Sequence, residues 1–189
     1  MFKIYKSIAD RQSIEHILPW LEKKKTIEQS YTNLSYSNNK RIEVNLACAT
    51  VYCRSMGHSG VGIAFNELAS NGVTKDVIYP LLPMSENGCA MPLIVSHSYK
   101  NILTKGSRYL LHSWNELGFT IVAPNEEPIL IPAEAFVNNL TLAFCTTVHK
   151  SQGLTLPGKY KLYETNRYTW RMLYVAISRT TDESNILVD

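Results

Sequence analysis

The rhythm of apolar and polar positions changes several times along this chain. Residues 8–24 place Ile14, Ile17, Leu18 and Leu21 at three- and four-residue steps, the spacing of an amphipathic helix that Pro19 kinks or divides. NLSYS (33–37) reads as a short strand, and Asn38-Asn39 opens a helix with Ile42, Leu46, Ala49 and Cys53 on one face. Between residues 55 and 90, glycines at 57, 60, 62, 72 and 88 break the pattern, and IAFNELAS (63–70) predicts a short helix. The period then shortens. MPLIVSH (91–97), SRYLLHSW (107–114), GFTIVAP (118–124) and PILIPA (128–133) are β-rich runs parted by Gly, Pro and Asn, which predicts a small antiparallel barrel. LTLAFCT (140–146) is an almost unbroken apolar strand, as in a sheet covered on both faces, followed by a polar turn and a helix. NRYTWRMLYVAISR (166–179) restores helical spacing, with Trp170, Leu173, Tyr174 and Ile177 on one face, and NILVD closes the chain as a strand. The expected architecture is α/β with an all-β module set inside a parallel-sheet domain.

Composition narrows this only a little. The 189 residues are 45% hydrophobic and 19% charged, enough to bury a core in one domain or two small ones, and unlike collagenous or disordered chains. A net charge of +3 permits a nucleic-acid partner without arguing for one. The run Lys23, Lys24, Lys25 reads better as a solvated helix end than as a DNA patch. No apolar run reaches the ~18 residues of a membrane span, and the first 25 residues do not read as a signal peptide. Cys48, Cys53, Cys89 and Cys145 are scattered, which points to reduced thiols in an intracellular compartment, cytoplasm or nucleus. Cys48, Cys53 and His58 recur at five-residue intervals, but no second ligand pair with finger spacing follows, so no metal site is expected.

Two segments carry chemistry. In Thr146-Thr147-Val148-His149-Lys150-Ser151-Gln152-Gly153-Leu154-Thr155-Leu156 a buried strand delivers hydroxyls, an imidazole and an ammonium onto a turn ending in glycine. Such donors suit phosphate, and the N–H groups of a following helix would add an anion site. A strand end with capping hydroxyls accounts for any two of these residues, less easily for the whole run. In Tyr174-Val175-Ala176-Ile177-Ser178-Arg179-Thr180-Thr181 an apolar helix ends in one arginine, whose planar fork suits a phosphate; an arginine on the helix C-terminal dipole is an equal reading of this segment alone.

Taken together, TTVHKSQGLTL and, two dozen residues on, YVAISRTT with a terminal strand resemble motifs V and VI of superfamily 1 helicases. The resemblance is to the 5′-to-3′ branch of RecD-like, Dda-like and mitochondrial-DNA-maintenance enzymes. The YVAISRTT ending also looks like the helicase subunit of viral helicase–primase complexes. NLSYSNNKRIEVN is similar to the weaker motif IV region, and MPLIVSHSYKNILTKGSRYLL to the segment opening the SH3-like insertion of these enzymes.

The resemblance implies a RecA-like parallel sheet with helices on both faces, built from residues 1–90 and 141–189 and interrupted by a small SH3-like β-barrel over 91–140. It implies that Thr147 and His149 contact the single-strand backbone, with Asn38 a weaker candidate. It places Gln152 and Gly153 near the nucleotide and makes Arg179 the arginine finger, steadying charge on the γ-phosphate. The chain departs from the family in one respect. GHSGVG (57–62) and TKGSR (104–108) lack the form GxxxxGK[ST], and no Asp-Glu pair follows an apolar strand. The expectation is therefore half a motor, inactive as an ATPase alone. ATP and Mg²⁺ would bind only once a P-loop domain, in the same parent chain or a separate one, completes the cleft. Single-stranded DNA is the expected partner, with replication proteins such as a primase beside it and no membrane. A stand-alone nucleic-acid-binding or regulatory module with a helicase-like fold is the alternative.

Overall fold

Short strands alternate with turns and α-helices in the computed structural model, which describes residues 22–23, 32–84, 91–123, 126–156 and 158–189. In chain order the elements are β1 (Glu22–Lys23), β2 (Asn33–Ser35), α1 (Asn38–Ser55), β3 (Val61–Leu68), β4 (Thr74–Leu81), β5 (Pro92–Val95), β6 (Arg108–Asn115), β7 (Gly118–Val122) and β8 (Ile129–Ile131). They continue with α2 (Ala133–Asn139), β9 (Leu140–Leu142), β10 (Cys145–Thr147), β11 (Tyr160–Tyr163), α3 (Trp170–Ile177) and β12 (Ile186–Val188). The chain divides into two units. One holds the described residues up to Val44 together with Phe144–Asp189; the other is Asn45–Ala143.

The first unit is built on a parallel sheet of order β1-β12-β11-β2-β10. Its inner strands read NLS, YKLY and ILV and are buried throughout, as parallel strands covered on both faces must be. Leu34, Leu162, Leu173, Ala176, Ile186 and Val188 form much of its core. Helix α3 is capped by Thr169, whose hydroxyl accepts the Met172 N–H, and the Tyr160 hydroxyl donates to the Ala176 carbonyl at 2.8 Å, tying the helix to β11. The mixed α/β class with a parallel sheet and helices, expected from the sequence, is what the chain adopts.

The second unit holds the β3–β4 hairpin and an antiparallel sheet of order β8-β7-β6-β5-β9. Phe119 stacks on Phe136 with ring centroids 4.0 Å apart, and Phe65 packs against Phe136 and, edge-on, against Tyr79. Among these aromatics Glu67 is buried, its carboxylate accepting from the Tyr79 and Thr141 hydroxyls. The β6–β7 hairpin turns at Gly118, where φ is +145° and any Cβ would run into the Ile131 carbonyl oxygen.

Several expectations need correction. The segment 63–70 is strand β3, not helix. Phe65 and Glu67 point inward and Ala64, Asn66 and Leu68 outward, and Asn71-Gly72 supplies the hairpin turn with φ +79° at the glycine. The run 140–146 is not one strand: β9 pairs with β5 in the antiparallel sheet and β10 with β2 in the parallel one. By its pairing the expected barrel is an open sheet, since β8 and β9 do not pair with each other among the described residues. The helix expected after residue 146 is a single 3₁₀ turn, His149–Ser151, so the anion site at its N-terminus falls away. On α1 the buried residues are Arg41, Ile42, Val44, Asn45, Cys48, Ala49 and Cys53, while Leu46 is exposed; Tyr174 on α3 is exposed rather than core. Glu22–Lys23 is strand where a helix was expected, and the rest of the 8–24 reading lies outside the described residues. Among the described residues no helix is long and apolar enough to cross a membrane.

Candidate nucleic-acid interface

Of the residues singled out from the sequence, all but Arg179 lie at the carboxyl ends of the parallel strands or in the segments that leave them. In open α/β sheets ligands gather at this edge. Strands β2 and β10 are neighbours there, with Thr147 opposite Ser35 and the Val148 N–H donating to the Ser35 carbonyl at 3.0 Å. Asn33 fixes the register from below. Its N–H and Nδ2 both donate to the Phe144 carbonyl, at 2.6 and 3.0 Å, and its Oδ1 accepts the Lys161 N–H at 2.9 Å. This one buried side chain therefore joins β2 to strands on both sides of it.

Beyond β10 the chain emerges into solvent. Thr147 is nearly buried, and its hydroxyl has no hydrogen-bond partner among the described residues. His149 and Lys150 are exposed, Ser151 is buried with its hydroxyl donating to the Val148 carbonyl at 2.8 Å, and Gln152 and Gly153 are exposed again. Gly153 has φ +82° with open space where a Cβ would stand, so backbone conformation rather than crowding calls for glycine.

Beyond β2, Ser37 caps α1: its hydroxyl accepts the Lys40 N–H at 3.2 Å. Asn38, the first helical residue, is separated from β2 by two residues, its Oδ1 accepting from the Arg41 Nε at 3.4 Å. The motif IV-like and motif V-like residues are thus carried on adjacent strands.

Sequence reasoning missed the group that holds this edge together. Glu164, after β11, takes the Ser37 N–H and hydroxyl on its carboxylate at 2.8 Å each and the Arg167 Nη1 at 2.9 Å. Its own N–H donates to Asp189 Oδ2 at 2.8 Å, and the Thr165 hydroxyl donates to Asp189 Oδ1. Glu164 has φ +61°, a conformation few non-glycine residues adopt, and the surrounding hydrogen bonds hold it there. A polar residue following an apolar strand was the available signal. Nearby, Arg167 lies over the Tyr36 ring at 4.3 Å, which puts a cation and an aromatic face together near the same edge. Burial, reinforced by Cys145, Asp189 and Glu164, pushes the Tyr168 phenol well above its ordinary range and keeps it protonated.

Arg179 lies just past α3, half-buried. Its Nε donates to the Val175 carbonyl at 2.8 Å, Nη1 to the carbonyls of Ser151 at 3.2 Å and Leu154 at 3.1 Å, and Nη2 to the Ser178 hydroxyl at 2.7 Å. Its own carbonyl accepts the Leu156 N–H at 2.8 Å. Arg179 is thereby brought together with the turn carrying Gln152 and Gly153, whereas Thr147, His149 and Asn38 belong to the strand ends. Among the described residues no group of His, Cys, Asp and Glu is arranged to hold a metal.

No family model matches the chain, and no curated protein does. Solved structures do. One, of two Pif1 helicases coordinating DNA unwinding at forked duplex DNA, matches all of this chain at 16% identity with a TM-score of 0.64. Pif1 from Bacteroides in complex with ADP-AlF3 and single-stranded DNA also matches all of it, at 16% identity and 0.60. Its fold is that of part of the Pif1 helicases. The Candida albicans Pif1 helicase extends the likeness to a third structure, at 12% identity and 0.56 over 99% of this chain. The chain spans about half the length of each, 46%, 48% and 52%. At such identities the Pif1 likeness establishes the fold.

Proposed function

We propose that this chain is the C-terminal motor half of a 5′-to-3′ DNA helicase, with the parallel-sheet unit as the core of its second RecA-like domain and the antiparallel sheet of the other unit as the β-rich insertion. One observation carries the reading. In a fold shared along its whole length with Pif1 structures, the motif V-like turn and the motif VI-like arginine are bonded to each other. That Bacteroides Pif1 is seen with single-stranded DNA and ADP-AlF3 together supports assigning both ligands to a chain of this fold.

On this reading Thr147 and His149 bind backbone phosphates of single-stranded DNA through hydroxyl and imidazole, with Asn38 and the exposed cations Lys150 and Arg167 beside them. Affinity is mostly electrostatic and tolerant of sequence. For ATP and Mg²⁺ this chain offers Gln152, Gly153 and the Arg179 guanidinium, and among the described residues no cradle of glycine N–H groups. These residues fit one flank of a triphosphate and not the whole of it. A P-loop domain, in the same parent chain or separate, holds the nucleotide and metal, and ATP bound there supplies the free energy of translocation. Arg179 neutralises charge on the terminal phosphate from the other side.

Binding of the 189-residue chain to a fluorescent oligo(dT), followed by anisotropy at rising salt, tests the reading. Thr147→Ala/His149→Ala is expected to weaken binding about tenfold at low salt, the loss of two phosphate contacts. Equal binding by the double variant overturns the assignment. The chain alone is expected to show no DNA-stimulated ATPase, and robust turnover would refute the half-motor.

A further inference from the structure

The hydrogen bonds of Arg179 allow a step beyond that reading. A guanidinium has five N–H groups. Four are engaged: Nε–H with Val175, both Nη1–H with Ser151 and Leu154, and one Nη2–H with Ser178. Among the described residues a single Nη2–H is left over. A forked contact with a phosphate takes two N–H groups from one edge of the guanidinium. Either edge that includes the spare N–H requires a second one now engaged, on Nη1 with the 151–154 turn or on Nε with Val175.

The turn depends on the same side chain. Within 151–154 the backbone closes on itself by one bond, Leu154 N–H to the Ser151 carbonyl at 3.0 Å. Arg179 Nη1 bridges the carbonyls of the two residues so joined, and a single cation holds both ends of the turn on which Gln152 and Gly153 stand exposed. Leu156 is held differently. Its side chain is buried in the core and its N–H reaches the main-chain carbonyl of Arg179, which the side chain does not need to maintain.

We propose that Arg179 is the positioning residue of the 151–154 turn, and that its guanidinium serves turn and phosphate alternately, so that engaging an anion releases the turn. The nature of the anion, a nucleoside triphosphate held by a facing domain, rests on the function proposed above; the exclusion applies to a fork through Nη1 and Nη2, because Nη1 is the nitrogen that holds the turn. Occupancy of the phosphate site and order in the turn are then linked, each lowering the other by the same factor.

Amide hydrogen exchange of the 189-residue chain, read residue by residue by NMR, tests this without DNA. Arg179→Ala is expected to speed exchange at Leu154 about tenfold, as befits loss of charge-assisted hydrogen bonds, and to leave Leu156 unchanged. Arg179→Lys, with a charge but no planar fork, is expected to fall between. Inorganic tripolyphosphate at millimolar concentration is expected to speed exchange at Leu154 in the unsubstituted chain and not in Arg179→Ala. The tripolyphosphate arm needs no variant to fold. The proposal is overturned if Leu154 and Leu156 speed up together, if neither changes, or if tripolyphosphate acts equally with and without Arg179. Loss of oligo(dT) binding would refute the helicase reading and leave these exchange results unaffected.

Discussion

Glu164 holds Ser37 by two groups at once, accepting its backbone N–H and its hydroxyl across 127 positions of sequence. The contact fixes the start of α1 against the end of β11 and so sets where Asn38 stands. Glu164→Ala is expected to lower stability by about 1–3 kcal/mol, because hydrogen bonds to a charged acceptor are lost while Ser37 stays half-buried. The Arg167 pair adds little to this, since Arg167 is largely exposed. Urea midpoints of the two chains measure the difference, and an unchanged midpoint would contradict the structural role given to Glu164.

Arg167→Ala should separate binding from stability. The arginine is on the surface, so the urea midpoint is expected to move by less than ~0.5 kcal/mol. If it contacts a phosphate, oligo(dT) binding weakens and the slope of log affinity against log salt falls by about 0.7. An unaltered slope would remove Arg167 from the interface.

Gly118→Ala is expected to be severe. Both the positive φ and the Ile131 carbonyl oppose a Cβ, and neither neighbour is a flexible side-chain end. A loss on the order of 2–4 kcal/mol is expected, seen as early unfolding of the β6–β7–β8 meander by hydrogen exchange. Gly153→Ala, where φ alone opposes the substitution, should cost about 1 kcal/mol.

Cys48 gives a pH dependence. Burial pushes its thiol up from the ordinary 9.0 to about 12, so the folded chain holds this proton more tightly than the unfolded chain. The resulting stability is fully present below pH 9 and is lost as pH rises from there toward 12, by up to ~1.4 kcal/mol per pH unit. The difference in urea midpoint between the unsubstituted chain and Cys48→Ala should therefore shrink between pH 8 and pH 11. A difference that stays constant would mean the thiol is not held in its neutral form by the fold.

Strands that alternate against one neighbouring layer were legible in the sequence, and so were β2 and β12, which are buried throughout. The runs at 107–114 and 118–124 alternate against a single core; the first covers all of β6 but its last residue and the second contains β7. β11 escaped because YKLY is buried on both faces yet carries a lysine, whose ammonium lies over the Tyr163 ring at 5.1 Å. The segment 63–70 misled because a hairpin strand with Glu67 buried looks polar at the position where a strand should look apolar. The site was legible in part. Hydroxyls and cations after an apolar strand marked the carboxyl edge, but Glu164 and Ser37 meet only through tertiary structure, and no spacing could reveal that Arg179 bonds backbone carbonyls 25 and 28 residues earlier.

The handover between β9 and β10 bears on how this chain can change in length. Leu140 and Leu142 are in register with Val95 and Leu93, and Cys145 and Thr147 with Asn33 and Ser35. The two residues between are also committed: the Ala143 N–H donates to the Pro92 carbonyl, and the Phe144 carbonyl receives both Asn33 donors. No position from 140 to 147 is slack. An insertion or deletion of one residue there would turn every following side chain in one sheet to its opposite face. Homologues should therefore tolerate substitutions in this octapeptide far more readily than gaps, and an alignment that opens a gap within it is misplaced.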